Sequence, residues 1–166
     1  SDFYLSDEIE TNALIPDIEV DIAKSMETRL DILELREKQQ LAQLYFDITN
    51  KVTTENTASY KKANSALIDA KYLYTNGVKL IKLEIKKTHT ELLNAGDSLK
   101  IVKSELEIAN EEYDINKIKY EVGTITNMQL TDSLNKKLVS EVNFEKAKLN
   151  DKLAKEKYDY EIKTGI

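Results

Sequence analysis

Val122-Gly123-Thr124-Ile125-Thr126 is the stretch on which the reading of this chain turns. It interrupts two long runs of heptad-spaced apolar residues. Gly123 is the residue type that suits the position just past a helix end, where a left-handed backbone is needed. Thr126-Asn127-Met128-Gln129 then reads as a capping box opening a new helix. The break is therefore expected to be the tip of a long antiparallel helical hairpin. The end of such a rod is a natural place to meet a partner, so Val122, Gly123, Thr124, Ile125 and Thr126 are the candidate contact residues.

Upstream of the tip the pattern predicts one central helix over 57–121, spanning roughly 100 Å at ~1.5 Å per residue. Its seam is Ile85, Thr88, Leu92, Ala95, Leu99, Val102, Leu106, Ala109 and Tyr113. Alternating steps of three and four are what a left-handed coiled coil requires. Leu67, Ala70, Tyr74, Gly77 and Ile81 continue the seam toward the N-terminus, and the step from Ile81 to Ile85 is a stutter. Gly77 and Gly96 each cost ~1 kcal/mol relative to Ala, yet the frame runs on through Gly96. A second row, Ile101, Ile108, Ile115 and Val122, lies on another flank. Two apolar rows fit a helix packed on both sides, as in a wall or closed tube. They fit equally one wide buried face in a three- or four-helix bundle.

The flanking segments are shorter. Residues 1–15 are acidic and aperiodic and are expected to be a flexible lead. Pro16-Asp17 suits a helix start, giving a short helix over about 17–26. Thr28-Arg29-Leu30-Asp31 resembles a capping signal for a helix over 29–50, with a stripe at Leu30, Leu33, Leu41, Leu44 and Ile48. The Thr- and Asn-rich 50–57 reads as a turn. Beyond the tip a helix is expected over 127–164, with Val139, Val142, Leu149, Leu153 and Tyr160 as its seam and Lys146 and Glu156 intruding on it. The two flanking segments together match the central helix in length. The expected fold is all-α and elongated: one long helix flanked by two shorter ones stacked end to end, with 16–166 forming a single unit.

Composition agrees. The chain has 33% charged residues, one Pro and four Gly, which favours long helices. A formal charge of −6 with interleaved Lys and Glu argues against a nucleic-acid partner. The absence of Cys excludes disulfides and thiolate zinc sites. No run approaches the ~18 apolar residues of a membrane span. His89 is the single histidine and is expected at the surface. Glu105, Glu107, Glu111, Glu112 and Asp114 lack the loop spacing of a calcium site and read as a solvated helix face. The tyrosines Tyr60, Tyr72, Tyr74, Tyr113, Tyr120, Tyr158 and Tyr160 are expected to cover helix interfaces with hydroxyls reaching water. No catalytic, cofactor or metal site is expected.

Several pieces, in order, resemble the TolC-like outer membrane efflux proteins. Ile18-Glu19-Val20-Asp21-Ile22-Ala23-Lys24-Ser25, Arg29-Leu30-Asp31-Ile32 and Leu35-Arg36 are similar to that family's entry helices. Leu83-Glu84-Ile85-Lys86-Lys87 through Glu91-Leu92 is similar to its long helix. Tyr120-Glu121-Val122-Gly123-Thr124-Ile125-Thr126 resembles its periplasmic tip, Gln129-Leu130-Thr131-Asp132 the start of its return helix, and Tyr158 to Gly165 the close of a repeat. The resemblance spans 17–166, one helical repeat. It implies a homo-oligomeric tube of packed helices, docked through the tip to a periplasmic adaptor protein and through that to an inner-membrane pump. It also implies a place in the cell envelope: the periplasmic part of an outer membrane protein, or an extracytoplasmic setting where there is no outer membrane. One departure stands out. Asp47 to Ser59 is too short for the family's two barrel strands of about 9–11 residues each, so no direct membrane insertion is expected. Either the strands have been removed or the chain is a barrel-less relative.

Overall fold

The structure is a computed structural model that describes residues 17–163. The acidic lead, Pro16 and the expected helix end at Gly165 lie outside the described residues. Four helices and no strand occur among the described residues: α1 (Ile18–Thr28), α2 (Leu30–Val52), α3 (Ala58–Glu121) and α4 (Asn127–Lys163).

Local chemistry sets most of the boundaries. Asp17 caps α1, its Oδ1 accepting from the Glu19 and Val20 amides. The expected cap at Thr28 does not form. Its Oγ1 donates back to the Lys24 carbonyl, and Arg29 takes the position before α2 without a side-chain cap. Asp31 accepts from the Ile32 amide instead. The first helix therefore runs to Thr28, and α2 runs on to Val52. That leaves 53–57 as the turn, which ends where Thr57 Oγ1 accepts from the Tyr60 amide and opens α3.

With 64 residues, α3 is about 95 Å long. α2 packs along its first half and α4 along its second, while α2 and α4 do not touch. They lie end to end on one long partner, as expected. The whole predicted α3 seam, from Leu67 to Tyr113, is buried or half-buried. Gly77 has a packing reason: a Cβ there would stand 2.5 Å from Leu35 Cδ1, so the missing side chain makes room for Leu35.

The stripes expected on the two shorter helices are not their seams. In α2, Leu30, Leu41, Leu44 and Ile48 are exposed and only Leu33 is half-buried. The face turned to α3 is Ile32, Leu35, Gln39, Ala42, Phe46, Thr49 and Thr53. In α4, Val139, Val142, Leu149, Leu153 and Tyr160 are all exposed. Its seam is Ser133, Lys137, Ser140, Phe144, Ala147, Asp151, Ala154 and Tyr158. Both true seams step by three and four, but small and polar residues occupy many of the positions. Those residues fit because α3 brings the bulk. Asp151 sits opposite Gly96 with its carboxylate held by Lys155 at 2.6 Å, and Lys137 reaches over the Tyr113 ring at 5.3 Å.

The densest packing is at mid-rod, where α2 begins and α4 ends. Ile22, Ile85, Leu92 and Tyr158 form the core there, with Ile18, Met26, Ile81, Ala154 and Ile162 against it. The Ile81–Ile85 stutter falls at this point, turning the α3 face as its partner changes from α2 to α4. Tyr158 is 1% exposed, and its hydroxyl donates to Asp21 at 2.7 Å rather than reaching water. Burial and that carboxylate push the phenol above its ordinary value, so it remains a donor. His89 is half-buried, not surface, and its ring lies 5.5 Å from that of Tyr158.

A polar clasp closes the joint. Arg29, 2% exposed, pairs with Asp31 and Glu161 at 2.7 Å each and donates to the Glu161 carbonyl. Ser25 Oγ donates to the Ile162 carbonyl, and Arg36 donates to that of Met26. The last turn of α4 is thus capped by side chains from the α1–α2 junction. Removing the guanidinium strands two partly buried carboxylates, so Arg29→Ala is expected to lower stability by about 2–3 kcal/mol in urea melts at pH 7. Burial acts to raise the Asp31 carboxyl, but the hydrogen bond and charge of Arg29 outweigh it and hold the group below its ordinary value. A depressed folded value means the contribution is complete above the ordinary carboxylate range near pH 4 and disappears as pH falls through the lower folded value. The acid-side loss of stability below about pH 4 should accordingly be shallower in Arg29→Ala than in the parent, as read by urea midpoints across pH.

Candidate functional site

The tip is built by the chain's own hydrogen bonds. α3 ends at Val122, and Gly123 takes φ 76°. The Gly123 amide donates to the Tyr120 carbonyl and the Thr124 amide to that of Lys119, both at 2.9 Å. This is the Schellman pairing, and it satisfies carbonyls that a helix end leaves open. Thr124 Oγ1 adds a second donor to Lys119 at 2.8 Å. On the far side the expected capping box is present in both directions. The Thr126 amide donates to Gln129 Oε1 at 2.9 Å, and the Gln129 amide donates to Thr126 Oγ1 at 3.3 Å.

The five tip residues are therefore together, but they divide by role. Gly123, Thr124 and Thr126 shape the turn, and Ile125 is half-buried. Val122, 68% exposed, is the one large side chain of the five that faces solvent freely. Met128, 75% exposed, lies in the first turn of α4. The sequence reading missed Met128 because it treated the capping box as structure alone. The signal was a large apolar residue at an outward position of a helix's first turn.

A second feature begins near the tip. A groove of about 700 Å3 runs between α3 and α4, bordered by Ile108 on one helix and Val139 on the other. Glu105, Glu112 and Lys136 also line it, and Lys136 pairs with Glu112 at 2.9 Å. The floor is Ala109 and Ser140. Farther along the same side, Lys157 pairs with Glu91 at 2.6 Å. The carboxylates expected as a solvated face do lie at the surface: Glu105, Glu107, Glu111, Glu112 and Asp114 are all exposed. No metal-holding cluster occurs among the described residues, and no described helix is long and apolar enough to cross a membrane.

Comparison with protein-family models, with curated proteins and with solved structures found no match.

The turn geometry makes a direct demand on Gly123. A Cβ there meets nothing within 4 Å, so any penalty comes from the left-handed backbone alone. Gly123→Ala is expected to cost about 1–2 kcal/mol, and Gly123→Asn less, because Asn tolerates this conformation. Hydrogen exchange should show the loss confined to the last turn of α3 and the first of α4.

Proposed function

We propose that this chain is a structural component of a TolC-like export duct, forming helical wall and docking a periplasmic adaptor protein through its hairpin tip. The duct would be passive. Transport energy would come from an inner-membrane pump joined through the adaptor, and the chain itself would do no catalysis. Its setting would be the cell envelope, either as the periplasmic part of an outer membrane assembly or outside the cytoplasm where there is no outer membrane.

The observation that carries this reading is the mismatch between length and burial. A rod of about 95 Å turns its second apolar rows outward on all three long helices, at Leu41, Leu44 and Ile48, at Ile101, Ile108 and Ile115, and at Val139, Val142, Leu149 and Leu153. A finished solitary rod would present charge there. Apolar surface on this scale marks interaction sites. The tip adds a rigid, hydrogen-bonded turn with Val122 and Met128 displayed at the end.

A second reading is a barrel-less coiled-coil scaffold of the envelope with no transport role. What favours it is the short turn at 53–57, which leaves no room for strands between α2 and α3. A tip test separates the two. Thr124 and Thr126 are committed to the turn, so cysteine belongs at Val122 or Met128. Val122→Cys and Met128→Cys are expected to give a cross-linked adduct with a cognate periplasmic adaptor protein, while a cysteine at the far end, Glu55→Cys, gives none. Equal yields from both ends, or none from the tip, would sink the docking reading.

A further inference from the structure

The broad side of the α3–α4 hairpin opposite the groove carries a cluster of lysines. Lys136–Glu112 and Lys157–Glu91 fix which residues of the two helices are level. At ~3.6 residues per turn, Lys100 and Lys103 on α3 and Lys148, Lys152 and Lys155 on α4 project from this side within about 15 Å of rod. Lys100, Lys148 and Lys155 pair with acids of their own helices, Asp97, Glu145 and Asp151. Lys103 and Lys152 are exposed and pair with no acid among the described residues. Closer to the tip the same side turns acidic at Glu107, Glu111 and Asp114, so the basic stretch is confined to the part next to mid-rod.

α1 delivers the start of the chain to this stretch. It lies on the lysine side, where its Glu19 pairs with Lys86 at 3.7 Å, on the face of α3 away from Glu91 and the groove. Its direction follows from two hydrogen bonds. Asp21 accepts from Tyr158, and Ser25, one turn on, donates to the Ile162 carbonyl. α1 therefore runs beside α4 in the same direction, away from the tip, and its N-terminal end points tipward along the lysines. The residues before it, 1–16, include Asp2, Asp7, Glu8 and Glu10 and no Lys or Arg.

We infer that this acidic lead docks on the lysine side of α3 and α4 in its own chain, with Asp7, Glu8 and Glu10 over Lys103 and Lys152. The contact lies within one molecule, so it goes beyond the duct reading and stands without it. Reach permits it. Lys152 and Lys103 lie about 9 and 20 Å tipward of Tyr158 along the rod, and the seven to ten residues between Asp17 and those acids span at most about 23–36 Å. Charge selects the place. The groove side presents Glu91, Glu105 and Glu112, and the lysine side nearer the tip presents Glu107, Glu111 and Asp114, so both repel the lead. Leu93, 37% exposed on the lysine side, offers Leu14 and Ile15 apolar surface beside α1. Exposed ion pairs are weak one by one. The tether offsets this, because it holds the acids near the lysines at an effective concentration in the millimolar range.

The chain has no cysteine, so a placed pair reports without background. In the full chain, Ile9→Cys with Ser104→Cys is expected to close an intramolecular disulfide under mild oxidation at least about ten-fold faster than Ile9→Cys with Ser98→Cys. Ser98 is on the same helix and nearer to α1, but on the groove side. Neither pair removes a charge. An undirected tether favours the nearer serine, so equal rates, or a faster Ser98 pair, would overturn the inference. Salt at about 1 M should erase the preference, as should Lys103→Glu combined with Lys152→Glu. A preference that survives both would overturn the lysines as the seat of the lead. Adding Glu8→Lys and Glu10→Lys to the reversed lysines should restore it, and failure to do so with helix content unchanged would count equally against the charge pairing. Tip adducts and this closure read different surfaces, so either result can fail while the other stands.

Discussion

A helix packed against one neighbour can bury only the stripe that faces it, and that constraint organises this molecule. Among the described residues, α3 has its stripe covered in turn by α2 and by α4, with α1 against it at mid-rod. Large apolar residues beyond that stripe stay in water: Ile101, Ile108 and Ile115 on α3, and the outward rows of α2 and α4. The hydrophobic stabilisation available to a lone chain is limited accordingly. The exposed rows represent burial still to be gained at ~25 cal/mol per Å2 of apolar surface removed from water. Length in this fold comes at the expense of a core, and association is the ordinary way to restore one.

The same constraint explains why, among the described residues, three helices meet at mid-rod. Where α2 gives way to α4, α3 would be left bare, and α1 fills the gap. Ile22 of α1 enters the core with Ile85 and Tyr158, and the stutter lets the α3 face turn to meet new partners. Two helix ends also meet here, with backbone groups that need hydrogen bonds. Arg29 and Ser25 supply them to the last turn of α4, at the carbonyls of Glu161 and Ile162. A buried ion pair is weak evidence for net stability. Its contribution in this place is to fix how the two short helices abut, since the same guanidinium holds the start of α2 through Asp31.

Much of this was legible in the sequence, for reasons that differ by helix. α3 could be read because its seam is made of large residues over many turns, so the period dominates any local exception. The tip could be read because Gly123 and the Thr126–Gln129 pair each have one strong use. α2 and α4 misled because their bulkiest residues are not the ones that face α3. Leu149 and Leu153 look like a seam beside Ala147 and Asp151, but Asp151 sits opposite Gly96 and Leu149 does not. Counting apolar residues finds the greasiest stripe, and in a helix with two apolar faces that need not be the intramolecular one. The intrusions at Lys146 and Glu156 were the available warning. Thr28 failed as a cap for a local reason, because its hydroxyl had a helical carbonyl within reach at Lys24. Tyr158 does cover a helix interface, but its hydroxyl is kept from water because Asp21 of α1 accepts from it.

The tip and the exposed apolar flank of α3 are not independent surfaces. Val122 continues the row Ile101, Ile108 and Ile115 at the same seven-residue step, so the last member of that exposed row is also the first exposed residue of the turn. The turn itself has little freedom to rearrange. Its backbone groups are engaged by the Schellman bonds on one side and the capping box on the other. A partner reaching this end therefore meets a fixed shape and gains little from its polar groups, which are already paired. What remains to be gained is apolar, at Val122 and Met128. Whatever covers the flank of α3 therefore also sets how much of Val122 remains exposed at the turn.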